Sequence, residues 1–188
     1  NEFIDNMPWQ RKPYSLYEPI KYVLAIGGKR IRPTLMLLAY NLYKDDPERI
    51  LSTAVALETY HNYTLLHDDL MDQAPLRRGH QTVHVKWDPN TAILSGDSML
   101  VLAFKMMAQT DKDYLQPVID LFTETALEIG EGQQYDMEFE NRTDVTEEGT
   151  APCKAACPAH VPHEHTHGQE AADSNKHHHY DKCEYEFK

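Results

Sequence analysis

The chain has 188 residues, 41% hydrophobic and 26% charged, with a formal net charge of −12, which is enough apolar content for one core. The acidic balance argues against a nucleic-acid partner, which needs a basic face, and no run of 18 apolar residues offers a membrane span. No charged segment followed by an apolar stretch opens the chain and all three cysteines fall after residue 150, which predicts a cytoplasmic setting, while Asn1 in place of Met predicts a cut or lost N-terminus.

Leu16, Ile20, Val23 and Leu24 recur at helical spacing, and Gly27-Gly28 stops that helix as a C-cap does. Pro33 sits where the first residue of a helix belongs, ahead of an apolar run from Thr34 to Tyr43. Asp45-Asp46-Pro47 opens a long helix from about Glu48 to Met71. Pro75 ends it, because the residue before a proline is pushed away from helical conformation. Asp88-Pro89 starts another through Ala92, Leu94, Met99, Leu102 and Met106, and a last one runs from about Lys112 past Asp136. No alternating run is long enough for a strand and no repeat is present, so the predicted class is all-α. At about Glu147–Gly149 the character changes, since residues 149–188 hold seven of the 11 histidines, every cysteine and few large aliphatics. Such a segment has little to bury against its ordering entropy, which predicts a folded body over 1–148 and a mostly disordered tail over 149–188.

Within the long helix lies His67-Asp68-Asp69-Leu70-Met71-Asp72. At about 100° per residue, Asp68 and Asp72 share a face roughly 40° apart, with His61 and Leu65 on the same stripe and Glu58 at its edge. Two carboxylates one turn apart can bridge a hard cation such as Mg²⁺, which shares its shell with phosphates and water. The alternative is a solvated acidic face. The apolar run Tyr63-Thr64-Leu65-Leu66 just ahead favours a cavity.

Three further segments carry polar chemistry. Arg77-Arg78-Gly79 offers two guanidiniums that can fork onto a diphosphate, or onto the neighbouring aspartates. Gly27-Gly28-Lys29-Arg30-Ile31-Arg32-Pro33 places three cations between two helices, where Lys29 and Arg32 suit an anion at a helix start or merely a soluble turn. In Gly130-Glu131-Gly132-Gln133-Gln134-Tyr135-Asp136, Gln133 and Asp136 fall on one face and can support a metal-bound water, or belong to a plain helix surface.

Taken in order, these segments resemble the polyprenyl synthetase family of trans-prenyl diphosphate synthases. Its Gly-Gly-Lys-x-x-Arg-Pro is matched by Gly27 to Pro33, its Asp-Asp-x-x-Asp and Arg-Arg-Gly by Asp68 to Asp72 and Arg77 to Gly79, and its Gly-Gln-x-x-Asp by Gly132 to Asp136. The resemblance implies an antiparallel helix bundle of the isoprenoid synthase type around a deep cavity, truncated to its N-terminal half, and a homodimer. It implies that Lys29, Arg32, His61 and Arg78 hold isopentenyl diphosphate. Asp68 and Asp72 coordinate Mg²⁺ on an allylic diphosphate, with Arg77 on that same diphosphate, Gln133 toward substrate and Asp136 toward metal. The residue five before the first aspartate caps the growing chain in such enzymes, which points to Tyr63 with Thr64 beside it and a short product, C15–C20. Ideal helix geometry, however, sets Tyr63 about 140° from Asp68.

The family's second aspartate-rich motif and its Lys-Thr pair are absent from this sequence. That predicts diphosphate affinity with weak or no turnover by the chain alone. The tail, with Cys153, Cys157, Cys183 and its histidines, suits a transition metal, or is a foreign or shifted reading frame. Beside the prenyltransferase stand two alternatives, a non-catalytic subunit of a larger synthase and a metal-binding or interaction protein built on this scaffold.

Overall fold

A computed structural model describes residues 4, 7, 9, 11–139 and 142. The Cys/His-rich tail and the boundary expected near residue 148 lie outside the described residues. The chain divides into two units, residues 1–119 and residues 120–188.

The first unit runs α1 (Tyr14–Ile26), α2 (Ile31–Asn41), a 3₁₀ turn (Pro47–Ile50), α3 (Leu51–Met71), β1 (Leu76–Arg77), β2 (His80–Gln81), α4 (Val83–Lys86) and α5 (Pro89–Met107). A long helix, α6 (Lys112–Phe139), begins there and continues into the second unit. The described residues are therefore all-α in character, apart from one minimal hairpin.

Helix α3 is the centre of the first unit, touched by α1, α2, α4 and α5. It buries residues on more than one side, among them Ala54, Val55, Ala56, Glu58, Tyr60, Asn62 and Leu66, as a helix surrounded by neighbours must. Its heaviest packing is against α5. Ser52 near the start of α3 donates to Met106 O at 3.3 Å, and His67 near its end lies 3.2 Å from Ile93 O near the start of α5. The two helices are thus antiparallel. Ala54, Ala56, Ala92 and Ala103, all at most 1% exposed, let the backbones approach, and Ile20, Leu24, Leu66 and Met99 fill the space between helices. Each such large side chain contributes about 1.5–3 kcal/mol when fully buried.

Two expected boundaries hold for local reasons. Gly27 closes α1 with φ +84°, a region open to glycine. Asp88 caps α5 by accepting the Thr91 N–H at 2.9 Å, with Pro89 at the first helical position.

Other boundaries need correction. Helix α2 begins at Ile31, so Pro33 is its third residue rather than its first; the first-turn N–H groups lack intrahelical acceptors, and a proline is tolerated there too. The expected helix from Glu48 begins as a 3₁₀ turn and becomes α-helical only at Leu51. The expectation of no strand missed β1 and β2, which pair antiparallel as Leu76 with Gln81 and Arg77 with His80. Their connection is the two-residue loop Arg78-Gly79, with φ +52° and +77°, the positive pair that two-residue hairpin loops use. Among the described residues no helix is long and apolar enough to cross a membrane.

Candidate functional site

The end of α3 and the hairpin after it make one half of the site. Asp68 and Asp69 are 7% and 6% exposed on the last turns of α3. The chain leaves the helix through Gln73 at φ +53°. It is pinned by Ala74 N–H to Asp69 O at 2.9 Å and by Thr82 Oγ1 to Ala74 O at 2.7 Å. That reversal brings Arg77 back over the aspartates. Its Nε donates to Asp69 Oδ1 at 2.7 Å and its Nη2 to Asp68 Oδ2 at 3.2 Å. Burial pushes the Asp69 carboxyl up to about 6, against the pull of the Arg77 guanidinium. Asp72, half-buried, is the C-cap of α3 and donates its N–H to Asp68 O at 2.9 Å.

The basic turn between α1 and α2 makes the other half. Lys29 and Arg32 are exposed there, while Arg30 turns inward to donate to the Glu58 carboxylate and to Leu24 O. Arg78, at the hairpin tip, donates to the Gly27 carbonyl and so latches the hairpin onto this turn. A Cβ at Gly28 would stand 2.6 Å from Arg78 Nη1, so the approach depends on that glycine. His61 Nε2 lies 3.2 Å from Arg32 Nη1. Burial lowers the His61 pKa to about 3, with Arg32, Arg78, Arg77 and Arg30 adding to the effect. The imidazole is therefore neutral and accepts from Arg32. Between α1, α3 and the hairpin is a small cleft of about 20 Å³, lined by Tyr22, Ile26, Asn62, Asp69, Arg77 and Arg78 among others.

Of the residues singled out from sequence, Lys29, Arg32, His61, Asp68, Asp72, Arg77 and Arg78 all lie in the first unit, on the basic turn, α3 and the hairpin. Gln133 and Asp136 lie on α6 in the second unit, both half-buried. Tyr63 packs beside Tyr60 and edge-on to His67, with ring centroids 5.6 Å and 4.8 Å apart. Thr64 donates its hydroxyl to His61 O at 2.8 Å, within its own helix.

Two participants escaped the sequence reading. Asp69 sits about 100° from Asp68 and about 60° from Asp72 on an ideal helix and was not singled out, yet Asp69 lines the cleft and takes the shorter bond from Arg77. Glu58, noticed only at the edge of the stripe, is the partner of Arg30. The doubled aspartate was a signal for the first; nothing local signalled the second.

Among the described residues no group of three or more Asp, Glu, His or Cys gathers as a metal cage. The hard oxygens of Asp68 and Asp72, one helical turn apart, instead fit a divalent cation that takes its remaining ligands from water and phosphate.

The described residues thus combine a helical scaffold with paired carboxylates, facing arginines and a glycine-rich basic turn. The family model described as polyprenyl synthetase matches residues 13–152, and the chain belongs to that family. It is 40% identical over 146 residues to the geranylgeranyl diphosphate synthase of Methanosarcina mazei, covering 77% of this chain and 45% of that protein. The crystal structure of the geranylgeranyl pyrophosphate synthetase of Pyrococcus horikoshii superposes with a TM-score of 0.77 at 36% identity, over 82% of this chain and 48% of that one. A geranyltransferase of Helicobacter pylori, complexed with magnesium and isoprenyl diphosphate, gives 0.68 at 30% identity, over 78% and 53%. The chain thus spans about half the length of the relatives it matches.

Proposed function

We propose that this chain supplies the isopentenyl-binding wall and the first aspartate pair of a homodimeric, Mg²⁺-dependent trans-prenyl diphosphate synthase. The reaction joins isopentenyl diphosphate to an allylic diphosphate and makes a short-chain product. The observation that carries the reading is the latch between Arg78 and Gly27, because it sets the two basic segments side by side at the aspartate end of α3.

Asp68 and Asp72 would hold Mg²⁺, and the metal's chemistry is to neutralise charge growing on a departing diphosphate. Arg77 exchanges its aspartate contacts for that diphosphate and forks onto its oxygens. Lys29, Arg32 and Arg78 neutralise the isopentenyl diphosphate, and neutral His61 completes its hydrogen bonds. The allylic C–O bond ionises to a carbocation, the isopentenyl double bond attacks it, and loss of a proton leaves a chain five carbons longer. Fixed positive charges at the leaving group do the stabilising. Tyr63, with Thr64, limits the product, and Tyr63→Ala shifts binding preference toward longer allylic diphosphates.

Calorimetry on the full chain tests the reading. An allylic diphosphate analogue is expected to bind only with Mg²⁺ and to lose that binding in Asp68→Ala. Binding that ignores both metal and Asp68 would overturn it.

A further inference from the structure

Arg30 stands between Lys29 and Arg32, which are exposed, yet its own side chain is only 14% exposed. Its guanidinium turns inward, between α1 and α3. Nη1 donates to the Glu58 carboxylate, which is 5% exposed, and Nη2 donates to Leu24 O at 2.6 Å. Asn62 Nδ2 completes the group with bonds to Glu58 Oε1 at 3.0 Å and Glu58 O at 2.8 Å. One arginine therefore ties the last turns of α1 to the middle of α3. It does so from a left-handed backbone, φ +51°, directly ahead of α2, a conformation that an L residue with a side chain keeps only when its surroundings hold it. Its carbonyl accepts the Thr34 N–H at 3.1 Å and starts α2.

We infer that Arg30 and Glu58 form a positioning pair that fixes the turn over residues 27–32, so that Lys29 and Arg32 stand beside His61 and Arg78 as one diphosphate subsite. The inference rests on the isopentenyl role proposed above for those four residues. Arg30 itself touches no ligand. Its charge is compensated by Glu58, and what it contributes is the direction of its neighbours. The clamp bears chiefly on one substrate, because the aspartates and Arg77 proposed for the allylic diphosphate hold one another at the end of α3, while the hairpin meets the turn through Arg78 at its tip.

Removing one member of a buried pair strands the other charge and can unfold the chain, whereas replacing both with apolar residues of similar size usually leaves stability near neutral. The variants are therefore Glu58→Gln and the double change Arg30→Met with Glu58→Met. Titration calorimetry reads isopentenyl diphosphate binding and, separately, Mg²⁺-dependent binding of an allylic diphosphate analogue. The double variant is expected to weaken isopentenyl diphosphate about tenfold or more, equal to about 1.4 kcal/mol, with the allylic constant within about twofold. Unchanged isopentenyl binding, or equal loss for both substrates, would overturn the inference. Glu58→Gln separates positioning from ligation by sign. Positioning predicts weaker isopentenyl binding, whereas a ligand arginine freed from Glu58 would bind the anion more tightly, and tightening sinks the idea.

Amide hydrogen exchange tests the clamp without any ligand. In the double variant Thr34 and the turn over 28–32 should exchange about tenfold faster while α3 and α5 keep their protection; exchange as slow as in the wild type overturns the inference. If the wild-type chain bound neither substrate, the proposed function would fall, and this exchange result alone would decide the clamp.

Discussion

The imidazole Nε2 of His61 lies 3.2 Å from Nη1 of Arg32. An arginine keeps its protons at any ordinary pH, so the ring nitrogen facing it must be the bare one. Burial first, and then Arg32, Arg78, Arg77 and Arg30, lower the His61 pKa to about 3.

His61 should accordingly stay neutral where an ordinary histidine charges. Nitrogen NMR of the ring is expected to show no protonation between pH 8 and pH 5. The folded pKa lies below the unfolded value of 6.5, so its contribution to stability is present above 6.5 and is lost as pH falls toward 3. His61→Gln should remove that part of the acid slope. A ring that titrates near 6.5 would show that it is solvated and out of reach of Arg32.

Asp69 gives the opposite sign. Its folded pKa of about 6 stands above the ordinary carboxylate value of 3.8, so ionising it costs stability. Its contribution is full below 3.8 and is lost as pH rises through 6, about 3 kcal/mol at most for a shift of that size. Melting curves from pH 4 to pH 7 should fall less steeply in Asp69→Asn than in the wild type. Equal slopes would mean that the Arg77 contact outweighs burial.

Arg77 neutralises two carboxylates that are at most 7% exposed. Arg77→Met is expected to cost about 3 kcal/mol at pH 7, the scale for stranding a buried charge. Because the Asp68 carboxylate that Arg77 releases is also proposed to hold a divalent cation, added Mg²⁺ should restore part of the lost melting temperature in the variant and far less in the wild type. Chelation with EDTA should abolish that recovery. No Mg²⁺ effect in the variant would count against Asp68 as a metal ligand.

Gly96 is a notch for His67. A Cβ there would lie 2.2 Å from His67 Nε2, and the ring is already committed to Ile93 O at 3.2 Å and to the edge of Tyr63. Gly96→Ala should destabilise by about 1–3 kcal/mol through overpacking. Adding His67→Ala should recover most of it, measured as a coupling in thermal unfolding. A Gly96→Ala chain as stable as wild type would mean that the ring swings aside freely.

Local order was largely legible from residues alone. Gly27 and the Asp88-Pro89 pair mark real helix ends because capping and proline geometry act within a few residues. Most periodic apolar positions of α1 and α5 mark buried faces, with Ile20, Leu24, Ala92, Met99 and Met106 in the core, but Leu94 of the same run is exposed. The ordered motifs were enough to identify the family. The 3₁₀ start before Leu51 and the four-residue helix Val83–Lys86 were not legible, since segments so short carry no readable period.

By itself, then, the sequence determined the helical class, the order of the charged segments and the family to which they belong. Only the tertiary structure decided what each charge does. Arg30 and Arg32 are two residues apart, yet one is buried on Glu58, 28 positions away, and the other meets His61, 29 positions away. Arg78 reaches back 51 positions to Gly27, while its neighbour Arg77 holds Asp68 and Asp69. Helical spacing relates side chains within a turn or two. Which guanidinium is buried and which stays at the surface depends on how α1, α3 and the hairpin pack, because burial and long-range pairing set the energy of a charge.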